Sequence, residues 1–286
     1  MVNNLKTTLL MAFLGGLLVA AGYAYGSQSG AMVMLGIAAL LNMGMYFFSD
    51  KIALKSSRAQ PVTQEQLPEV YSIVGNLALA NNMPMPRIYV IDSPQPNAFA
   101  TGRNPKNAAV AVTRGILQMM NRNELEGVLA HELSHVANRD ILISSIAATV
   151  GAAISFLSRI AFWGGGNRDR NVNPLISIAA IILAPLAALV VQMAISRSRE
   201  FQADRSGAEM TGQPLALASA LAKLGQGTAR IPMDVNPAVS SLFIADPMKA
   251  LGGRRRGAGR FGKMFSTHPP MEQRIERLQA MSSGIR

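Results

Sequence analysis

His131 and His135 stand four residues apart in His131-Glu132-Leu133-Ser134-His135, and they are two of only three histidines among 286 residues. On a helix, residues four apart lie one above the other, so both imidazoles can face one metal ion while Glu132 projects beside them to handle water. The pattern carries this meaning only in a helix. Asn121-Arg122-Asn123-Glu124 has the form of a capping box, and Leu125, Val128, Leu129, Leu133 and Val136 recur at helical spacing, which predicts one. The bland reading, a surface helix with two solvated histidines, leaves their pairing unexplained.

A catalytic zinc takes three protein ligands and keeps one position for water. With no cysteine in the chain, thiolate sites, disulfides and cysteine nucleophiles are excluded, and any metal must use His, Asp or Glu. Glu200 is the candidate. It opens Glu200-Phe201-Gln202-Ala203-Asp204, so Glu200 and Asp204 share a helical face, and Asp204 is placed to fix the tautomer of a ligating histidine. Glu and Asp at this spacing are also commonplace on solvated helices. The third histidine, His268, lies in Ser266-Thr267-His268-Pro269-Pro270 ahead of an amphipathic helix carrying Met271, Ile275 and Leu278. It reads either as a turn residue before a proline-started helix or as an electrophile for the oxyanion formed when water attacks a peptide carbonyl.

The elements that must position these groups are largely apolar. No Asp, Glu, Lys or Arg occurs between Lys6 and Asp50, and Gly22 to Gly30 divides this stretch into two runs, each near the length of a membrane span. A cleaved signal peptide is the alternative, weakened by the second run that follows at once. Two further runs, Ile141 to Trp163 and Val172 to Ser196, are joined by Gly164-Gly165-Gly166-Asn167; the alternative for them is a hairpin packed inside a protein core or lying shallowly in the interface. Four crossings put Lys6, Lys51, Lys55, Arg58, Arg139, Arg197 and Arg199 on one side, which the positive-inside rule assigns to the cytoplasm together with both termini. His135 precedes the third run by about 9 Å of helix and Glu200 follows the fourth by about 6 Å, so an antiparallel hairpin brings His131, His135 and Glu200 to one height beside the membrane.

The fold expected is therefore a mainly α integral membrane protein with four transmembrane helices and a cytoplasmic α+β zinc peptidase domain built from two chain segments. The divisions are 1-50, a transmembrane hairpin; 51-140, the first part of the peptidase domain with the histidine helix; 141-196, a second hairpin; and 197-286, the second part with the third ligand. Within the first part, Glu65 to Asn81 reads as a helix, Arg87 to Asp92 and Ala108 to Thr113 as strands, and the Pro/Asn/Gly-rich stretch between the strands as a connection. Composition agrees with a lipid-facing chain. Apolar residues make up 49% and charged residues 15%, against about a quarter charged in soluble domains. The net charge of +11 suits anionic headgroups or nucleic acid. Many basic residues flank apolar runs, and Arg254-Arg255-Arg256 has only Phe261 and Phe265 as nearby stacking aromatics, so nucleic acid is not the expected partner.

His131 to His135 followed by Asn138-Arg139-Asp140, Ser198-Arg199-Glu200-Phe201-Gln202-Ala203-Asp204, Asn97-Ala98-Phe99-Ala100-Thr101-Gly102, and Ser266 to Pro270 together resemble the HtpX family of bacterial heat-shock membrane proteases over essentially the whole chain. The resemblance implies a gluzincin-type zinc endopeptidase of the bacterial inner membrane, multi-pass, that degrades misfolded or damaged membrane proteins with its active site in the cytoplasm. It implies one Zn²⁺ per chain on His131, His135 and Glu200, Glu132 as general base, Asp204 orienting a ligand and His268 holding the oxyanion. In that family the segment matching Asn97, Ala98, Phe99 and Ala100 lies near the cleft, where a substrate backbone pairs with a sheet edge; a turn-forming Asn between prolines is the other reading of Asn97. The partners expected are membrane-protein substrates and the lipid bilayer, with self-association left open. Two other functions compete: a prenyl-protein-type membrane zinc protease, for which four spans are few, and a non-catalytic zinc-binding membrane scaffold.

Overall fold

The computed structural model describes residues 2–146, 197–252 and 269–284. Most of the second apolar pair, residues 147–196, lies outside the described residues, as do the Arg254 to Arg256 run and His268. Helix α1 (Val2–Ser56) is broken at Gly26 and Ser27, where φ/ψ leave the helical region. Its two limbs fold back on each other: Asn42 donates to the Met11 carbonyl at 3.1 Å, Gly15 approaches Ala38, and the backbones meet at Gly22 and Gly30. Added Cβ atoms at these last two glycines would strike the facing backbone, so the close turn depends on their missing side chains. Among the described residues, Gly26–Ser56 is the one helix long and apolar enough to cross a bilayer; Thr7–Ala20 is a shorter apolar helix.

The C-terminal end of α1 docks on a four-stranded sheet of order β1-β2-β4-β3, comprising β1 (Gln60–Pro61), β2 (Arg87–Ile91), β3 (Ala98–Gly102) and β4 (Ala108–Thr113). Asp50 accepts from Arg87 at 2.7 Å, and the Arg103 guanidinium lies 4.9 Å from the Phe47 ring centre. β2 and β4 run parallel, and β3 pairs antiparallel with β4 from Ala98↔Val112 to Gly102↔Ala108. β3 falls in the stretch expected to be a connection. Its Ala-Phe-Ala-Thr-Gly sequence has little intrinsic strand preference, and tertiary burial decides: all five residues are buried between β4 and the helices, which overrides local propensity.

Alternation along the strands separates two cores. On one face Ala98, Ala100, Val110 and Val112 join α2 (Pro68–Ala80), α4 (Arg122–Ala137) and α6 (Pro214–Arg230) in the main cluster. On the other, Phe99, Ala109 and Ala111 pack with Ala53 and Leu54 of α1 and with Met233, Val235, Val239, Leu242 and Phe243. A short α3 (Arg114–Met119) links β4 to α4. The capping box at Asn121 and Glu124 forms in both directions, and Lys223 and Ser219 of α6 donate to the same Glu124 carboxylate at 2.6 and 2.7 Å. The start of the histidine helix is thus pinned to the core.

Helix α5 (Arg197–Thr211) crosses α4 against its histidine turn, and α7 (Met271–Ser282) packs on α5 and α6. The crossing depends on Gly207, where a Cβ would sit 2.8 Å from the His131 nitrogen and 2.9 Å from its Cα. Both neighbours are helix backbone, which cannot step aside locally. Gly207→Ala is expected to push the helices apart and cost about 1–3 kcal/mol, read as a lowered unfolding midpoint with weakened zinc retention in the same preparation.

Candidate metal centre

His131 and His135 project one turn apart from α4, their ring centres 4.9 Å apart and nearly perpendicular. Glu200 enters from the first turn of α5. His131 Nε2 lies 3.9 Å from Glu200 Oε2, and His135 Nε2 lies 3.6 Å from Glu200 Oε1. One ligand atom from each residue falls within 4.8 Å of the others. Ligands at zinc distances in a tetrahedron are about 3.3 Å apart, so a small contraction closes these three around one ion.

The outer nitrogens of both rings are already taken. His131 Nδ1 meets Asp204 Oδ1 at 3.0 Å, and His135 Nδ1 meets both oxygens of Asp140 at 3.1 Å. Each contact places a proton on Nδ1 and turns Nε2 toward Glu200. Arg274, 0% exposed, holds Asp204 in a two-point pair at 2.6 and 2.8 Å, and its guanidinium reaches within 3.7 Å of Glu200.

The charges also fit a dication. Glu132, Asp140, Glu200 and Asp204 face Arg274 and Arg199, whose charge acts on Asp140 and Glu200. Fully ionised, four carboxylates against two guanidiniums leave two negative charges in a buried site, a balance that Zn²⁺ completes. Without a cation the protons compensate. Burial lifts the Glu132 carboxyl to about 8. Burial opposes the charge on His135, but Asp140, Glu200 and Glu132 outweigh it and raise that ring to about 9. Burial lowers His131. Burial also works against the Asp204 charge, yet Arg274 and His131 hold that carboxyl down at about 2.

Glu132, 2% exposed, accepts from the Ala100 N–H of β3 at 2.7 Å. It lines a cavity of about 30 Å³ with Ala100, both histidines, Glu200 and residues 241–244, which is room for water beside the ligands. Four of the expected site residues, His131, Glu132, His135 and Glu200, therefore meet at one cavity, with Asp204 directly behind. Asn97, Ala98 and Phe99 are fully buried. The Asn97 carboxamide contacts Ala245, the Ala98 carbonyl accepts from the Ile244 N–H, and Phe99 packs edge-on against Phe243.

Two members of the site escaped the sequence reading as chemistry-bearing residues. Asp140 had appeared only within a motif, and nothing in its spacing announces that a left-handed turn at Arg139, φ 56°, swings it back to His135. Arg274 left a readable trace. It lies on the same helical stripe as Met271, Ile275 and Leu278, and a charged residue on an apolar face is a sign of a buried partner.

Residues 64–282 match peptidase family M48. The chain is 47% identical to a protein named "Protease HtpX homolog" of Pelotomaculum thermopropionicum, covering 98% of this chain and 100% of that one. It is 50% identical to a protein of the same name of Syntrophotalea carbinolica, covering 98% and 99%. Among solved structures, S. mikatae Ste24p aligns with a TM-score of 0.50 at 18% identity, over 97% of this chain and 66% of that chain, a likeness of fold.

Because a metal must displace the proton that His135 holds below about pH 9, apparent zinc affinity is expected to rise about tenfold per pH unit from pH 6 toward 9, measured by competition with a chromogenic chelator. Arg274→Leu strands the buried Asp204 carboxylate and is expected to cost about 3–5 kcal/mol. Denaturant unfolding of the zinc-free protein reads that loss directly.

Proposed function

The chain belongs to peptidase family M48, and from that premise we propose that its His131, His135 and Glu200 centre serves a membrane-embedded endopeptidase acting on misfolded or damaged membrane proteins. The single observation that carries the reading is the convergence of two histidines, Glu200 and the buried Glu132 carboxyl at one cavity. A divalent metal and an adjacent proton carrier are what peptide hydrolysis needs. The protein is a zinc metalloprotease.

Bound zinc supplies Lewis acidity toward water and the scissile carbonyl. Glu132 is the group that takes the proton from that water and delivers it to the leaving amine. Burial by itself favours the protonated form, and the charge of a bound Zn²⁺ would favour the ionised form that a base needs. Its Oε2, accepting from Ala100, is fixed in orientation. Asp204 keeps His131 in the ligating tautomer and is itself held by Arg274. His268 is the proposed donor to the oxyanion; its sequence position supports this, because α7 begins three residues later and delivers Arg274 to the centre.

For location we propose a bacterial inner-membrane protein crossing four times, with both termini and the metal centre on the cytoplasmic side. The apolar Gly26–Ser56 helix, the two later charge-poor runs and the one-sided basic residues support it,. The divisions at 50, 140 and 196 follow from the same signals.

Glu132→Gln is expected to retain one zinc per chain and to slow cleavage of a detergent-solubilised membrane protein by about 10³-fold. Glu200→Ala is expected to lose the metal. A Glu132→Gln protein as active as the parent rejects the assignment, and unchanged zinc in Glu200→Ala removes that residue from the ligand set.

A further inference from the structure

β3 is the outer strand of the sheet, and pairing through Asn97, Phe99 and Thr101 toward β4 leaves the backbone groups of Ala98, Ala100 and Gly102 facing outward,. An exposed strand edge is where an extended polypeptide adds by main-chain hydrogen bonds. Here the edge is taken by the protein's own chain. The Ile244 N–H donates to the Ala98 carbonyl at 3.0 Å. Asn97 grips the next residue at both ends, its Nδ2 donating to the Ala245 carbonyl at 2.8 Å and its Oδ1 accepting from the Ala245 N–H at 3.3 Å. Arg274 donates to the Ile244 carbonyl at 3.1 Å, and Gln95 donates to the Pro247 carbonyl at 2.9 Å.

These contacts read main chain, with no demand on side-chain identity. That is how a protein holds a polypeptide of unspecified sequence. The same segment forms a wall of the metal cavity through Ser241, Leu242, Phe243 and Ile244, and the space it leaves beside the ligands, about 30 Å³, has room for water,. We propose that residues 243–245 sit in the place of substrate on β3, and that cleavage requires them to withdraw while the substrate backbone takes over their partners on Ala98 and Asn97. The inference rests on the protease reading above and adds regulation to it: the resting enzyme is closed by an internal competitor. Phe243, edge-on to Phe99 with ring centres 4.9 Å apart, is the side chain that fastens it.

The test uses full-length, zinc-loaded protein in detergent micelles and a phosphinic peptide as the probe. Amide hydrogen exchange is followed with and without it. Binding is expected to slow exchange across 98–102 and to speed it at least severalfold across 241–247. Protection of 98–102 with unchanged or slower exchange in 241–247 overturns the internal competitor while leaving the protease intact. A protein that neither binds the probe nor cleaves an unfolded polypeptide overturns both. Phe243→Ala gives a second reading: looser closure raises the open fraction, so KM for a short quenched-fluorescent peptide falls severalfold with kcat and zinc content unchanged. A raised KM in a folded, zinc-replete Phe243→Ala protein counts against the proposal. Should that variant not fold, exchange in the parent protein still decides.

Discussion

A guanidinium with no exposed surface is the contact on which the rest of this site leans. Arg274 neutralises Asp204, Asp204 orients His131, and the same guanidinium reaches Glu200 and the Ile244 carbonyl. A buried carboxylate without its partner is several kcal/mol out of balance, so α7 cannot leave without disturbing the ligand helix. One residue from the last helix therefore ties together the metal ligands, the helix pair that carries them and the segment beside the cavity.

Around that contact the two histidines are treated alike. Each has a carboxylate on Nδ1, Asp204 for one and Asp140 for the other, so each presents Nε2 with its tautomer set. The carboxylates come from different directions. Asp204 rides on α5 beside Glu200, whereas Asp140 ends the turn after α4 and begins the helical stretch over 141–146. Orientation of the second ligand is thereby joined to the chain's departure toward its second apolar pair. The first apolar pair is coupled as well, since Asp50, Phe47 and Leu54 of α1 meet the sheet that carries β3. The end of the first apolar pair and the catalytic groups thus meet through the two faces of one sheet.

The sheet edge shows how much a single hydrogen-bonding surface can be asked to do. β3 supplies the Ala100 N–H that holds Glu132 and the Ala98 carbonyl that holds Ile244. Asn97, expected to contact substrate, has its carboxamide on the main chain of residue 245. Both facts follow from an edge strand's need to satisfy outward-facing polar groups once it is buried.

By itself the sequence determined the chemistry. His131-Glu132-Leu133-Ser134-His135 behind a capping box has one economical geometry, because helical periodicity is a local property that four-residue spacing reveals. The shared face of Glu200 and Asp204, the break between the first two apolar runs, and the strands at Arg87 and Ala108 were legible for the same reason. What the tertiary structure alone decided is whatever depends on contacts between distant segments. β3 exists because β4 and α4 bury it, against weak local propensity. Asp140 serves His135 because a left-handed turn at Arg139 returns it. Arg274 reaches Asp204 across 70 residues of sequence. Periodicity and spacing describe a residue's neighbours within one element; burial of charge is settled only when elements pack, and that is where this site acquired its balance.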